Sequence, residues 1–330
     1  MSQLKRVLAI DGGGIRGIIP GTMLVEAEKA FNIKVWDYFD IIAGTSTGGI
    51  LTCAYLCPDA TDASKPKFDS QQVVDLYFEK GDEIFSINFL HKMRSGGGIF
   101  DEKYPDDGIE DALQQYFGDV WLKDLLKPAV VTSYDIKNRK GHFFFQHKAA
   151  KNPEYNFKIR DVSRATSAAP TYFECAKVAN ELNESFVLID GGVFANNPAM
   201  VAYSEVRNEF KNDSGADCTA KDMKVLSLGT GFDKRKYLYK EAKNWGMAQW
   251  VKPIVDIMMS GSVEVDDYYL GQIFDTLDNP NQYLRVNGHM PEDVDPAMDN
   301  AKPKNLKALK AFGEQLFQDN KDELAAWFEI

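Results

Sequence analysis

Four apolar residues in a row, Val7-Leu8-Ala9-Ile10, are followed at once by Asp11-Gly12-Gly13-Gly14-Ile15-Arg16-Gly17. That order reads as a short buried strand, a glycine-rich turn, and then a helix from about Pro20 to Phe31. The pattern repeats. Phe39 to Ala43 is apolar and runs into Gly44-Thr45-Ser46-Thr47-Gly48-Gly49, after which Ile50 to Leu56 has helical character. Further apolar runs predict strands over Pro128–Ser133, Phe143–Phe145, Ser185–Ile189 and Val225–Leu228, the last two ending in glycine turns. Strands that alternate with helices and end in glycine turns predict an α/β sheet, with polar groups gathered at one edge.

Between these runs, residues 58–70 are polar and read as a loop. A longer irregular segment at about 81–108 holds Ile84, Phe85, Ile87, Phe89 and Leu90 beside a glycine run, and reads as a lid. Residues 289–304 are rich in Pro, Asp and Asn. Beyond them Leu306, Leu309, Phe312, Leu316, Leu324 and Trp327 recur at helical spacing, predicting a helix over about 304–328 docked on the core. The glycine turns are spread from residue 11 to 231, which favours a single domain over 1–330. Met247, Trp250, Val251, Ile254, Val255, Met258 and Met259 form an apolar stretch interrupted by Pro253. It suits either an interfacial patch for lipid or core packing, and core packing is the favoured reading.

Charge narrows the function classes. The chain of 330 residues carries a formal net charge of −11, which disfavours a nucleic-acid polymer as partner and global attraction to anionic membranes. Lys234, Arg235, Lys236, Lys240 and Lys243 form a local basic cluster, read as a solvated face. The four cysteines, Cys53, Cys57, Cys175 and Cys218, contain no CxxC pair and suggest neither a zinc site nor a disulfide framework. No apolar run reaches the ~18 residues a membrane helix requires, and the N-terminus has no signal-peptide pattern. The expected setting is cytoplasmic, with any membrane contact peripheral.

Gly44-Thr45-Ser46-Thr47-Gly48 matches G-x-S-x-G between a strand and a helix, the context of a nucleophile elbow. Such a turn lifts Ser46 to the sheet edge at the positive end of the next helix. The Asp11–Gly17 turn has two readings. Gly12, Gly14 and Gly17 satisfy G-x-G-x-x-G, as in a non-catalytic nucleotide-binding module. Successive glycine N–H groups also make an oxyanion hole. The second is favoured, because Ser46 stands where a dinucleotide site would place its acidic residue. Asp190-Gly191-Gly192 ends a strand and precedes Asn196-Asn197-Pro198. Asp190 could accept a serine proton or merely cap a turn. It lies 190 − 46 = 144 residues from Ser46, so only the fold could join them.

Together these motifs resemble the patatin-like phospholipase family. Ala165-Thr-Ser-Ala-Ala-Pro-Thr-Tyr-Phe173 looks like that family's helix segment, and Ser133-Tyr-Asp-Ile136 and Tyr283-Leu-Arg285 are similar too. The resemblance implies a three-layer α/β/α fold with a mixed central sheet. It implies a lipid acyl hydrolase of phospholipase A type, with Ser46 as nucleophile and Asp190 as base. Gly12, Gly13 and Gly14 would form the oxyanion hole and Arg16 would lie near the substrate phosphate. No metal or organic cofactor is implied. The substrate would be a membrane phospholipid or other glycerolipid. The missing signal peptide departs from the secreted plant members and favours a bacterial setting. The C-terminal half also resembles anti-phage effectors, which would make a cyclic nucleotide the activator. A lysophospholipase or esterase of lipid turnover is the alternative, as is a Ser-His-Asp hydrolase, for which only His289 follows Asp190.

Overall fold

A computed structural model of the chain describes residues 4–81, 84, 107–233 and 236–330. Eight strands form one mixed sheet: β1 Lys5–Ile10, β2 Ile41–Thr45, β3 Ala129–Asp135, β4 Lys140–Phe145, β5 Ala176–Ala179, β6 Ser185–Asp190, β7 Met223–Leu228 and β8 Tyr283–Val286. Their order is β5-β6-β3-β2-β1-β7-β8, with β4 also paired to β3. β3, β2, β1, β7 and β8 run parallel, whereas β4, β5 and β6 join by antiparallel pairing.

The main helices are α1 Ile18–Phe31, α2 Thr47–Leu56, α3 Ser70–Gly81, α4 Asp107–Phe117, α5 Ile159–Thr166, α6 Ala199–Glu209, α7 Met247–Phe274, α8 Pro303–Asp319 and α9 Lys321–Phe328. Alternation along the buried strands divides the side chains between two cores. Leu8, Ile10, Ile42 and Val131 face α1, α2, α5 and α8. Val7, Ala9, Ile41, Ala43 and Val130 face α6 and the C-terminal part of α7. The result is the expected three-layer α/β/α arrangement.

Several boundaries differ from the sequence reading. The second strand begins at Ile41 and takes in Gly44 and Thr45, because pairing from Val7↔Ile41 to Ile10↔Gly44 continues to the turn. The single C-terminal helix is two, α8 and α9, divided at Asn320. Its side-chain amide donates to the Leu316 carbonyl at 2.8 Å, competing with helix continuation. The Ala165–Phe173 segment is helical only to Thr166; Pro170 disfavours helix at the residue before it. The apolar stretch from Met247 is not core. Met247, Trp250, Val251, Ile254 and Met258 are exposed on α7, which runs unbroken through Pro253, while Met259 turns inward. Nearly all of the lid reading, and Lys234 and Arg235, lie outside the described residues.

Candidate active site

Sheet register brings Ser46 and Asp190 together. Thr45, at the end of β2, pairs with Thr132 on β3, and the next β3 residue, Ser133, pairs with Asp190 at the end of β6. Ser46 therefore lies level with Asp190 across one intervening strand. Both line one cavity, with Gly14, Ser167, Ala169, Tyr172, Phe173, Met259 and Met298.

The turn at Ser46 is held against its own strain. Ser46 has φ 54° and ψ −122°, a conformation that costs a non-glycine residue roughly 1–3 kcal/mol. Its N–H donates to Thr166 Oγ1 at 2.8 Å, and that hydroxyl donates to the Thr132 carbonyl at 2.7 Å. A Cβ on Gly48 would stand 2.1 Å from the Ile10 carbonyl oxygen, so only glycine lets α2 approach β1 this closely. Ser46 immediately precedes α2, whose N-terminal dipole favours negative charge on the serine oxygen.

Asp190 is 1% exposed. Its Oδ1 accepts the Gly192 N–H at 2.7 Å, while Oδ2 has no hydrogen-bond partner. Burial pushes the carboxyl up to about 7, against the smaller opposing effects of the Gly192 N–H and the neighbouring Ser46 hydroxyl. A carboxyl with that pKa is half ionised near neutrality, the range in which a general base would be most effective.

The glycine loop behaves only partly as expected. Gly14 lines the cavity, and the N–H groups of Gly13 and Gly14 have no partner among the described residues. Gly12 does not fit the donor role: its N–H donates to the Asn196 carbonyl at 3.0 Å. Gly14 adopts φ +59°, which turns the loop at this point. Arg16 lies beside the Ser46 cavity rather than in it. Its Nε donates to the Gly13 carbonyl at 3.3 Å, and it lines an adjoining cleft with Asp233, Tyr237 and Asp256.

His289 also lines the adjoining cleft, beside the Phe232 ring, and not the Ser46 cavity. His142 is packed against Phe144 and Phe186, and burial pulls its pKa down to about 4. His147 Nε2 is 2.8 Å from Glu205 Oε1. With Glu209 these form a trio of metal-type donors within 4.8 Å, but Lys148 Nζ stands 2.8 Å from the same Glu205 oxygen, where a cation would sit. His91 lies outside the described residues.

Three residues to which the sequence reading gave no role shape the site. Thr166 anchors the elbow and Asn196 anchors Gly12, its carbonyl accepting the Gly12 N–H and its amide donating weakly to the Gly12 carbonyl at 3.5 Å. Arg285 grips Asp11 ahead of the glycine loop. Asn196 stood six residues beyond Asp190 in a conspicuous Asn-Asn-Pro, the one local signal that pointed to it.

The family model described as patatin-like phospholipase matches residues 8–203. Patatin-T5 from Solanum tuberosum is 34% identical, over 96% of this chain and 85% of its own. Patatin-like protein 4 from Arabidopsis thaliana is 32% identical over 96% and 84%. A potato protein named Probable inactive patatin-3-Kuras 1 is 32% identical over 98% and 89%. Among solved structures, VipD from Legionella pneumophila covers 96% of this chain and 67% of its own at 13% identity and a TM-score of 0.40, a likeness too loose to add to these. The matched model spans more than half the chain and the relatives nearly all of it, so this chain belongs to the patatin-like phospholipase family.

Proposed function

We propose that the chain hydrolyses acyl esters of membrane glycerolipids, as a phospholipase A, through an acyl-enzyme on Ser46 with Asp190 as the only side-chain base. The observation that carries this is one cavity lined by Ser46, by a buried carboxyl whose Oδ2 has no hydrogen-bond partner, and by Gly14 of a loop whose Gly13 and Gly14 N–H groups have no partner among the described residues. No described histidine lines it.

Ser46 Oγ attacks the ester carbonyl while its proton passes to Asp190. The carbonyl oxygen becomes an oxyanion, stabilised by the N–H groups of Gly13 and Gly14. Collapse breaks the ester C–O bond, and the leaving alkoxide takes the proton from Asp190. Water then repeats the sequence on the acyl-enzyme, releasing fatty acid and restoring Ser46. Ala169, Phe173, Met259 and Met298 give the acyl chain an apolar wall. Every proton in this cycle moves between Ser46, Asp190, water and the leaving oxygen. Fluorophosphonate labelling tests the nucleophile: one adduct on Ser46 in the wild type and none in Ser46→Ala supports it. A wild type that resists labelling, as a catalytically silent relative would, refutes it.

A further inference from the structure

The outer face of α7 is apolar, and no described residue covers it. Met247, Trp250, Val251, Ile254, Met258 and Val265 are each at least 40% exposed. Met247, Val251, Ile254, Met258 and Val265 are separated by steps of three, four or seven residues and so lie on one stripe of the helix, with Trp250 beside it and Tyr268 and Tyr269 extending it. Over Met247–Tyr269 the stripe is about 33 Å long at 1.5 Å per residue. By the helical period Asp256, Glu264, Asp266 and Asp267 fall outside it. Soluble proteins rarely leave so continuous a patch bare.

Two further observations bear on what covers it. The opposite side of the same helix reaches the Ser46 cavity, since Met259 lines it with Ser46 and Asp190. The segment leading into the helix is basic, unlike the chain as a whole. Residues 236–246 carry Lys236, Lys240 and Lys243 against the single Glu241, in a protein of net charge −11. The three lysines are exposed, beside Tyr239 at 80% exposure and the edge-to-face pair Trp245–Trp250 at 5.0 Å. Exposed lysines complement lipid phosphates, and Trp and Tyr rings suit the boundary between head groups and acyl chains. No described helix is long and apolar enough to cross a membrane.

We infer that α7 lies in the surface of a lipid bilayer, its stripe among the acyl chains, Lys240 and Lys243 at the phosphates, and its inner face delivering lipid to the Ser46 cavity. This rests on the hydrolase reading for the meaning of that cavity. Apolar insertion makes the contact largely independent of salt and effective on neutral lipid, which a net acidic protein could not reach by long-range attraction.

The test compares the full-length wild type with the double variant Ile254→Glu/Met258→Glu, whose positions are exposed at mid-stripe and line neither cavity. Both are sedimented with phosphatidylcholine vesicles at low and high salt, and both are assayed on a short-chain monomeric ester. The expected result is that the wild type sediments at both salts, and the variant partitions about tenfold or more weakly while hydrolysing the monomeric ester at the wild-type rate. Equal sedimentation of the two proteins would overturn the inference. So would a wild type that ignores vesicles but forms a dimer that the variant dissolves, since the stripe would then belong to a second copy. A wild type that binds vesicles yet leaves the monomeric ester intact would refute the hydrolase reading and leave the surface contact standing.

Discussion

Arg285, on the edge strand β8, closes a two-pronged ion pair on Asp11, its Nη1 donating to Asp11 Oδ1 at 2.8 Å and its Nη2 to Oδ2. The same Nη1 donates to Ser227 Oγ at 2.8 Å, so the ends of β1, β7 and β8 are tied together just before the glycine loop. Burial raises the Asp11 pKa, and Arg285 opposes that rise.

Removing the arginine leaves a buried carboxylate without its partner. Arg285→Leu is therefore expected to cost about 3–5 kcal/mol in denaturant unfolding, and Asp11→Asn/Arg285→Leu markedly less than the two single changes combined. An unchanged midpoint for Arg285→Leu would show that the pair is not what secures the loop.

The raised pKa of Asp190 makes activity and stability move in opposite directions with pH. In the proposed dyad only the ionised carboxylate accepts the Ser46 proton, so kcat/KM should rise with pH through about 7. The folded value lies above the ordinary 3.8, so the stability contributed by the neutral carboxyl is complete below 3.8 and is lost as pH climbs through about 7. Asp190→Asn should thus melt higher than the wild type above pH 7 while losing turnover. An activity limb near pH 4, or a less stable Asp190→Asn above neutrality, would contradict this assignment.

Gly48 and Gly271 both sit in helices, where alanine is intrinsically better by about 1 kcal/mol. Packing separates them. A Cβ on Gly48 meets the Ile10 carbonyl at 2.1 Å, whereas one on Gly271 meets nothing within 4 Å. Gly48→Ala should open the elbow, destabilise the fold and abolish turnover, while Gly271→Ala should raise the melting temperature with activity retained. Two variants with the same stability would show that the close approach is not tight.

What the sequence made legible was local. Apolar runs broken by glycine turns marked six of the eight strands and the elbow at Ser46, because those signals lie within a few residues of one another. The strands that escaped, Ala176–Ala179 and Tyr283–Val286, have four residues each and lie at the two ends of the sheet order. Asp190 acquires its place from the register Ser133↔Asp190, which no local pattern contains. The Gly12 donor failed for the same reason, its partner Asn196 being 184 residues away. On α7 the spacing showed which positions share a face, but not what covers that face, and exposed residues were read as core.

The Ser–Asp mechanism is tested most directly by the turnover of one soluble acyl ester by Ser46→Ala, Asp190→Asn and His289→Ala, each shown to be folded. A Ser46–Asp190 dyad predicts that the first two lose turnover by about 10²–10⁴ or more, since the amide of asparagine cannot accept the serine proton. It predicts that His289→Ala, altered only in the adjoining cleft, keeps near wild-type turnover. His289→Ala falling as far as Ser46→Ala, with Asp190→Asn close to wild type, would contradict it.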